Sequence, residues 1–126
     1  MAVYKACNIA VILLLLAMAS SLVHACNFAA SCGGETLSRT TLTASCPGVD
    51  GNPVTSSIDL NSKISNSNGK LVCPGNDFAA SCSNIGLSGG HTLLANCKDE
   101  NGNVIQMSLD LNDCISNSNG HLEFCV

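Results

Sequence analysis

The sequence predicts an all-β fold: two pseudo-symmetric tandem repeats, each a triple-stranded sheet plus a β-hairpin, closed by disulfides. Three observations carry this expectation. A stretch of about fifty residues occurs twice, the cysteines form an even set in a short chain, and apolar residues alternate with polar ones between turn signals. The duplication is direct. Phe28-Ala29-Ala30-Ser31-Cys32 returns as Phe78-Ala79-Ala80-Ser81-Cys82, Asp59-Leu60-Asn61 as Asp110-Leu111-Asn112, and Ile64-Ser65-Asn66-Ser67-Asn68-Gly69 as Ile115-Ser116-Asn117-Ser118-Asn119-Gly120.

The chain opens on a segment that does not belong to the repeats. Lys5 precedes an apolar run over residues 9–19, and Val23-His24-Ala25 offers small side chains where a signal peptidase cleaves. The run falls short of the roughly twenty residues that a membrane-spanning helix needs. Residues 1–25 are therefore expected to be a signal peptide, and the protein to be secreted, with the first repeat over 26–75 and the second over 76–126. In that mature chain four basic residues (Arg39, Lys63, Lys70, Lys98) face nine acidic ones, with no basic cluster. Neither nucleic acid nor an anionic membrane is an expected partner. Phe28, Phe78 and Phe124 are its only aromatics, so the core rests on Leu, Ile, Val and Ala and needs covalent support.

Within one copy the local signals are those of strands. Residues 40–44 and 92–95 are rich in strand formers, and residues 54–60 and 104–111 alternate large apolar with polar side chains. Asp50-Gly51-Asn52-Pro53 and Asn101-Gly102-Asn103 are turn sequences, and Asn68-Gly69 and Asn119-Gly120 are the strongest short hairpin signal. No helical stripe is visible. A copy thus reads as a three-stranded meander followed by a hairpin, too small to bury both faces alone, so the two copies are expected to share a core.

Eight of the nine cysteines lie beyond residue 25. No C-x-x-C pair occurs and neither His91 nor His121 has finger-like spacing from cysteines, so no metal and no cofactor are expected. Cys32 to Cys46 and Cys82 to Cys97 recur at nearly equal distance, which makes pairing within each copy the simplest arrangement. The pairing of Cys26, Cys73, Cys114 and Cys125 stays open. Repeat symmetry sets Cys125 and Cys26 against Pro74 and Asn76, two residues apart, which favours a Cys26 to Cys125 bridge and leaves Cys73 with Cys114.

The two cysteine spacings, with Ser56-Ser57-Ile58-Asp59-Leu60-Asn61 and Leu109-Asp110-Leu111-Asn112-Asp113 in order, resemble the cyanovirin-N homology family of mannose-binding lectins over the whole mature chain. The resemblance implies hairpins exchanged between repeats. It also implies two sugar sites at opposite ends of the body. Carried residue by residue, the first site takes Asn27, Ser31, Val49, Asn117, Ser118 and Asn119, beside Ala30 and Pro47. The second takes Ser65, Asn66, Asn68, Asn76, Asp77 and Ser81, beside Ala80, Asp99, Glu100 and Gly102. Ala30, Ala80, Pro47 and Val49 depart from the polar side chains of the family pattern, and Glu100 stands where a basic clamp is expected. The second site is expected to be the weaker, because Asp77, Asp99 and Glu100 bring carboxylates to a neutral ligand.

Asn and Ser are also ordinary turn formers; the duplicated loop and the resemblance together favour sugar contact. The expected function is non-catalytic recognition of mannose-rich glycans, with α1,2-linked mannose termini, on high-mannose oligosaccharides and glycoproteins. A disulfide-rich defence protein or protease inhibitor is the alternative, against which stands the lack of a basic or bulky reactive loop. Asp59 and Asp110 occupy equivalent repeat positions, so they are expected to bond turn amides and not to form a hydrolase pair. For His91 and His121 the sequence suggests no serine or acidic partner in a catalytic arrangement, and both are expected on the surface. Pro74-Gly75, between the repeats, marks a hinge that permits either a monomer or a domain-swapped homodimer.

Overall fold

The computed structural model describes residues 26–126, and the expected signal peptide lies outside the described residues. Each repeat runs through the same series. The first has strands β1 (Gly33–Ser38), β2 (Thr41–Pro47) and β3 (Pro53–Asp59), then the hairpin β4 (Ser65–Ser67) and β5 (Lys70–Val72). The second has β6 (Cys82–Ser88), β7 (Thr92–Lys98) and β8 (Val104–Asp110), then the hairpin β9 (Ile115–Ser118) and β10 (His121–Phe124). The sheets are antiparallel in the orders β1-β2-β3 and β6-β7-β8, with each hairpin a separate two-stranded ribbon. Both outer strands shift register at the same place, between Gly33 and Thr36 and between Ser83 and Gly86. The duplication thus extends to the irregularities.

Alternation explains which face each strand buries. Along β2 the residues Leu42, Ala44 and Cys46 point inward, and along β7 Leu93, Ala95 and Cys97 do the same. They join Phe28, Phe78, Leu60, Leu111, Ile64 and Ile115 in one core drawn from both repeats. Burying a side chain of this kind contributes roughly 1.5–3 kcal/mol. Four single-turn 3₁₀ segments, absent from the expectation of strands alone, seat the aromatics and leucines: Phe28–Ala30, Leu60–Ser62, Phe78–Ala80 and Leu111–Asp113. Two are capped by the aspartates of the repeated motif, Asp59 Oδ1 accepting from Asn61 N and Asp110 Oδ1 from Asn112 N, each at 3.0 Å. His91 has an acidic partner, its Nδ1 lying 3.0 Å from Asp110 Oδ1, in the place where Thr40 Oγ1 donates to Asp59 Oδ1 at 2.8 Å in the other repeat.

The hairpins are exchanged. Ribbon β9–β10 of the second repeat packs on β3 of the first, where Leu122 N donates to Ser56 Oγ at 2.9 Å, and β4–β5 packs on β8. Each ribbon turns at an Asn-Gly pair with both residues at positive φ, 52° and 90° in both copies. The glycine also permits contact: a Cβ on Gly120 would lie 2.8 Å from Val54 Cγ2, and one on Gly69 would lie 2.8 Å from Ile105 Cδ1. Disulfides join Cys32 to Cys46, Cys82 to Cys97, Cys26 to Cys125 and Cys73 to Cys114. The last two link one repeat to the other.

Candidate functional site

Hairpin exchange sets each Asn-Gly turn against the β2–β3 or β7–β8 loop of the opposite repeat. Four asparagines fasten the contact. At the first tip, Asn117 Nδ2 donates to Ser31 Oγ at 3.1 Å and to Pro47 O at 3.0 Å, while its Oδ1 accepts from Gly120 N at 2.7 Å. Asn119 Oδ1 accepts from Val49 N at 2.8 Å. At the second tip, Asn66 Nδ2 donates to Ser81 Oγ and to Lys98 O, both at 2.8 Å, its Oδ1 accepts from Gly69 N at 2.7 Å, and Asn68 Oδ1 accepts from Glu100 N at 2.8 Å. The two clasps correspond bond for bond. An amide that donates two hydrogen bonds and accepts one at once fixes the spacing between ribbon and loop.

The candidate residues thus fall into two groups. Asn117 and Asn66 direct both amide hydrogens inward, and Ser31 and Ser81 receive them. Asn119 and Asn68 use only their carbonyl oxygens and keep an NH₂ on the exposed side of the clasp. Ser118 and Val49 are exposed beside the first clasp, and Val49 displays an apolar side chain that is 91% accessible. Asn27 is exposed at φ 44° and bridges Ser116, which puts it at the base of the first ribbon. Asp77 occupies the equivalent left-handed position at φ 59°, and its Oδ1 accepts from Asn61 Nδ2 at 3.2 Å. Asn76 is exposed next to it. Ser65 is set back from the tip at the ribbon base, pairing with Val72, where a Cβ on Gly75 would come within 2.9 Å of its backbone nitrogen.

The second tip also contains a depression of about 140 Å³ lined by Ala80, Ser81, Cys82, Ser83, Asn96, Lys98 and Val104. Ser83, Asn96 and Val104 were not among the sequence-derived candidates. The signal available for Asn96 was the outward phase of β7 next to Cys97; Val104 carried none. Of the carboxylates expected to burden this tip, Asp99 is already occupied, its Oδ1 accepting from Asn101 N at 2.9 Å and from Asn103 N at 2.8 Å. Glu100 is exposed and only its backbone is held.

A disulfide-bonded double repeat with exchanged hairpins and polar, clasped tips defines a lectin-type β scaffold. Comparison with known proteins identifies which one. The CVNH domain matches residues 28–123, and the chain belongs to the CVNH family. A cyanovirin-N homolog of Tuber borchii is 41% identical over 86 residues, covering 67% of this chain and 82% of the relative. The NMR structure of the Gibberella zeae CVNH protein superposes with a TM-score of 0.73 at 29% identity, over 79% of this chain and 98% of that one. A designed cyanovirin-N homolog lectin gives a TM-score of 0.70 at 31% identity, over 78% of this chain and 98% of that one.

Proposed function

We propose that this protein is a secreted, metal-independent lectin that binds mannose-rich glycans, with α1,2-linked mannose termini, at its two tips. The observation that carries the reading is the pair of asparagine clasps. Each brings an exposed amide and serine hydroxyls of two distant segments onto one small surface, and vicinal sugar hydroxyls need such convergent donors and acceptors. The first tip is the stronger site. There Asn119, Ser118, Asn27 and Ser31 are neutral, and Val49 offers an apolar surface to the C–H face of a pyranose. At the second tip a sugar must approach Glu100, and desolvating an unpaired carboxylate is costly.

Asn117 serves this site as a positioning residue, because its amide hydrogens already hold Ser31 and Pro47. A glycan array probed with the mature protein, with and without chelator, tests the proposal. Retention on mannose-terminated structures, indifferent to chelator, is expected; failure to retain them, or loss on chelation, would refute it.

A further inference from the structure

The largest cavity among those described does not lie at either clasp. A cleft of about 480 Å³ opens at the waist of the molecule between the β1–β2 turn of the first repeat and the second repeat, lined by Arg39, Thr40, Asn61, Ala79 and Ile85. Arg39 and Thr40 sit at the opposite end of β2 from Pro47, which at about 3.3 Å per residue is roughly 20 Å from the first tip. The Phe78–Ala80 turn divides the cleft from the second tip, with Ala79 lining one side and Ala80 the other. The volume lies within the range of small-molecule sites.

Repeat symmetry shows why the cleft is open. Ile85 corresponds to Glu35, at the same distance from its repeat's first cysteine, and Arg39 corresponds to the Gly89-Gly90 pair, where the turn of the second repeat is one residue longer. On the Glu35 side the longer carboxylate side chain folds onto the glycine turn: a Cβ on Gly90 would lie 2.8 Å from Glu35 Oε1. On the Ile85 side the shorter side chain stops at the wall, and Arg39, at φ 58°, holds the turn with its side chain exposed. The two halves use one scaffold position to fill one cleft and to leave the other vacant.

We propose that the waist cleft is a third ligand site and that it takes a neutral pyranose residue. Its lining combines an apolar wall, Ile85 and Ala79, with donors on Arg39 and the remaining amide hydrogen of Asn61. Arg39 makes no ion pair among the described residues. Acceptors lie alongside. Asp59 receives Thr40 Oγ1 and Asn61 N on one oxygen, leaving the other free, and Asp77 receives Asn61 Nδ2. A hydroxyl both donates and accepts, so vicinal hydroxyls suit this mixture, with the ring's C–H face against Ile85. A carboxylated ligand does not suit it, since Arg39 is the one cation of the lining and the carboxylates of Asp59 and Asp77 are bonded to its Thr40 and Asn61. The site extends the lectin reading to a place that neither clasp reaches, so that a branched glycan held at the second tip could also engage the waist at a raised effective concentration.

Two-dimensional NMR of the labelled mature protein tests this, with mannose, glucose, N-acetylglucosamine and glucuronate titrated separately. A neutral monosaccharide is expected to shift the amides of Arg39, Thr40, Ala79 and Ile85. Arg39→Gln, on an exposed turn, should reduce these shifts at least fivefold while tip shifts with dimannoside persist. Ile85→Glu, which rebuilds the opposite cleft's closing side chain, should abolish them. Shifts at the tips alone would overturn the waist site and leave the lectin reading intact; shifts at the waist alone would do the reverse. A response to glucuronate without response to any neutral sugar would also overturn the proposal.

Discussion

At the first tip Pro47, Gly48 and Val49 stand where Lys98, Asp99 and Glu100 stand at the second, yet the clasp is the same in both. Asn117 and Asn66 donate to a carbonyl in each case, Pro47 O or Lys98 O, and a backbone carbonyl is present whatever the side chain. Asn119 and Asn68 likewise accept from the backbone nitrogens of Val49 and Glu100. The scaffold therefore leaves the loop side chains free to vary. The joint between ribbon and loop is the same in both repeats, while the exposed side chains around it differ in charge and in shape.

The largest expected effect breaks one joint more than the other. Alanine at either hairpin glycine must adopt a positive φ, which costs on the order of 1–3 kcal/mol by itself. Gly120→Ala also drives a Cβ toward both γ- and β-carbons of Val54, whereas Gly69→Ala meets the far end of Ile105 and the carbons of Asp99. Val54 is stiff at χ1 and Ile105 Cδ1 can rotate away. Chemical denaturation should therefore find Gly120→Ala less stable than Gly69→Ala by about 1 kcal/mol, and the reverse order would contradict the packing described.

Binding should divide the tips next. Losing a hydrogen bond from a buried partner costs on the order of 1–3 kcal/mol, so Asn117→Ala should weaken dimannoside binding about tenfold or more, and Asn66→Ala should change it little. Titration by NMR locates the ligand directly: shifts gathered at residues 65–68 and at Asp77, instead of at residues 117–119, would reverse the ranking of the tips. A smaller effect tests its cause. Glu100→Gln removes the exposed carboxylate without disturbing the Asn68 bond to the backbone, and should strengthen second-tip binding about threefold; isothermal titration showing no gain would remove charge as the reason for the difference. The smallest concerns assembly. Pro74→Gly loosens the segment between the repeats and should move any dimer toward monomer on gel filtration.

Much of this architecture is legible in the sequence because its signals are local. Asn-Gly pairs specify tight turns, alternation along residues 54–60 and 104–111 specifies a buried face, and the repeat shows that both halves obey one plan. What the sequence does not disclose is set by distance. Asn117 and Pro47 are 70 residues apart, and nothing near either announces that one amide will hold the other's carbonyl. Asn117 thus reads as a candidate sugar ligand from its loop and as a joint from its contacts. The 3₁₀ turn at Phe28–Ala30 is hidden for a related reason: three residues are too few for a periodic pattern, and burial of Phe28 fixes the conformation. His91 is paired with Asp110 through a fold contact 19 residues long, across the β7–β8 arm, which its flanking glycines do not suggest.

The bridges Cys26–Cys125 and Cys73–Cys114 span 99 and 41 residues and are nested. Covalently, the described chain is a ring with a second ring inside it. A protease that opens any one exposed loop produces a nick and releases no fragment. Even cuts in both the 48–52 and 99–103 loops leave three pieces held together, since the outer two share Cys26–Cys125 and the middle one is tied to them through Cys73–Cys114. After limited digestion, a non-reducing gel should show one band at nearly the intact mass and a reducing gel several. The protein can be cut at both tip loops and still remain one molecule.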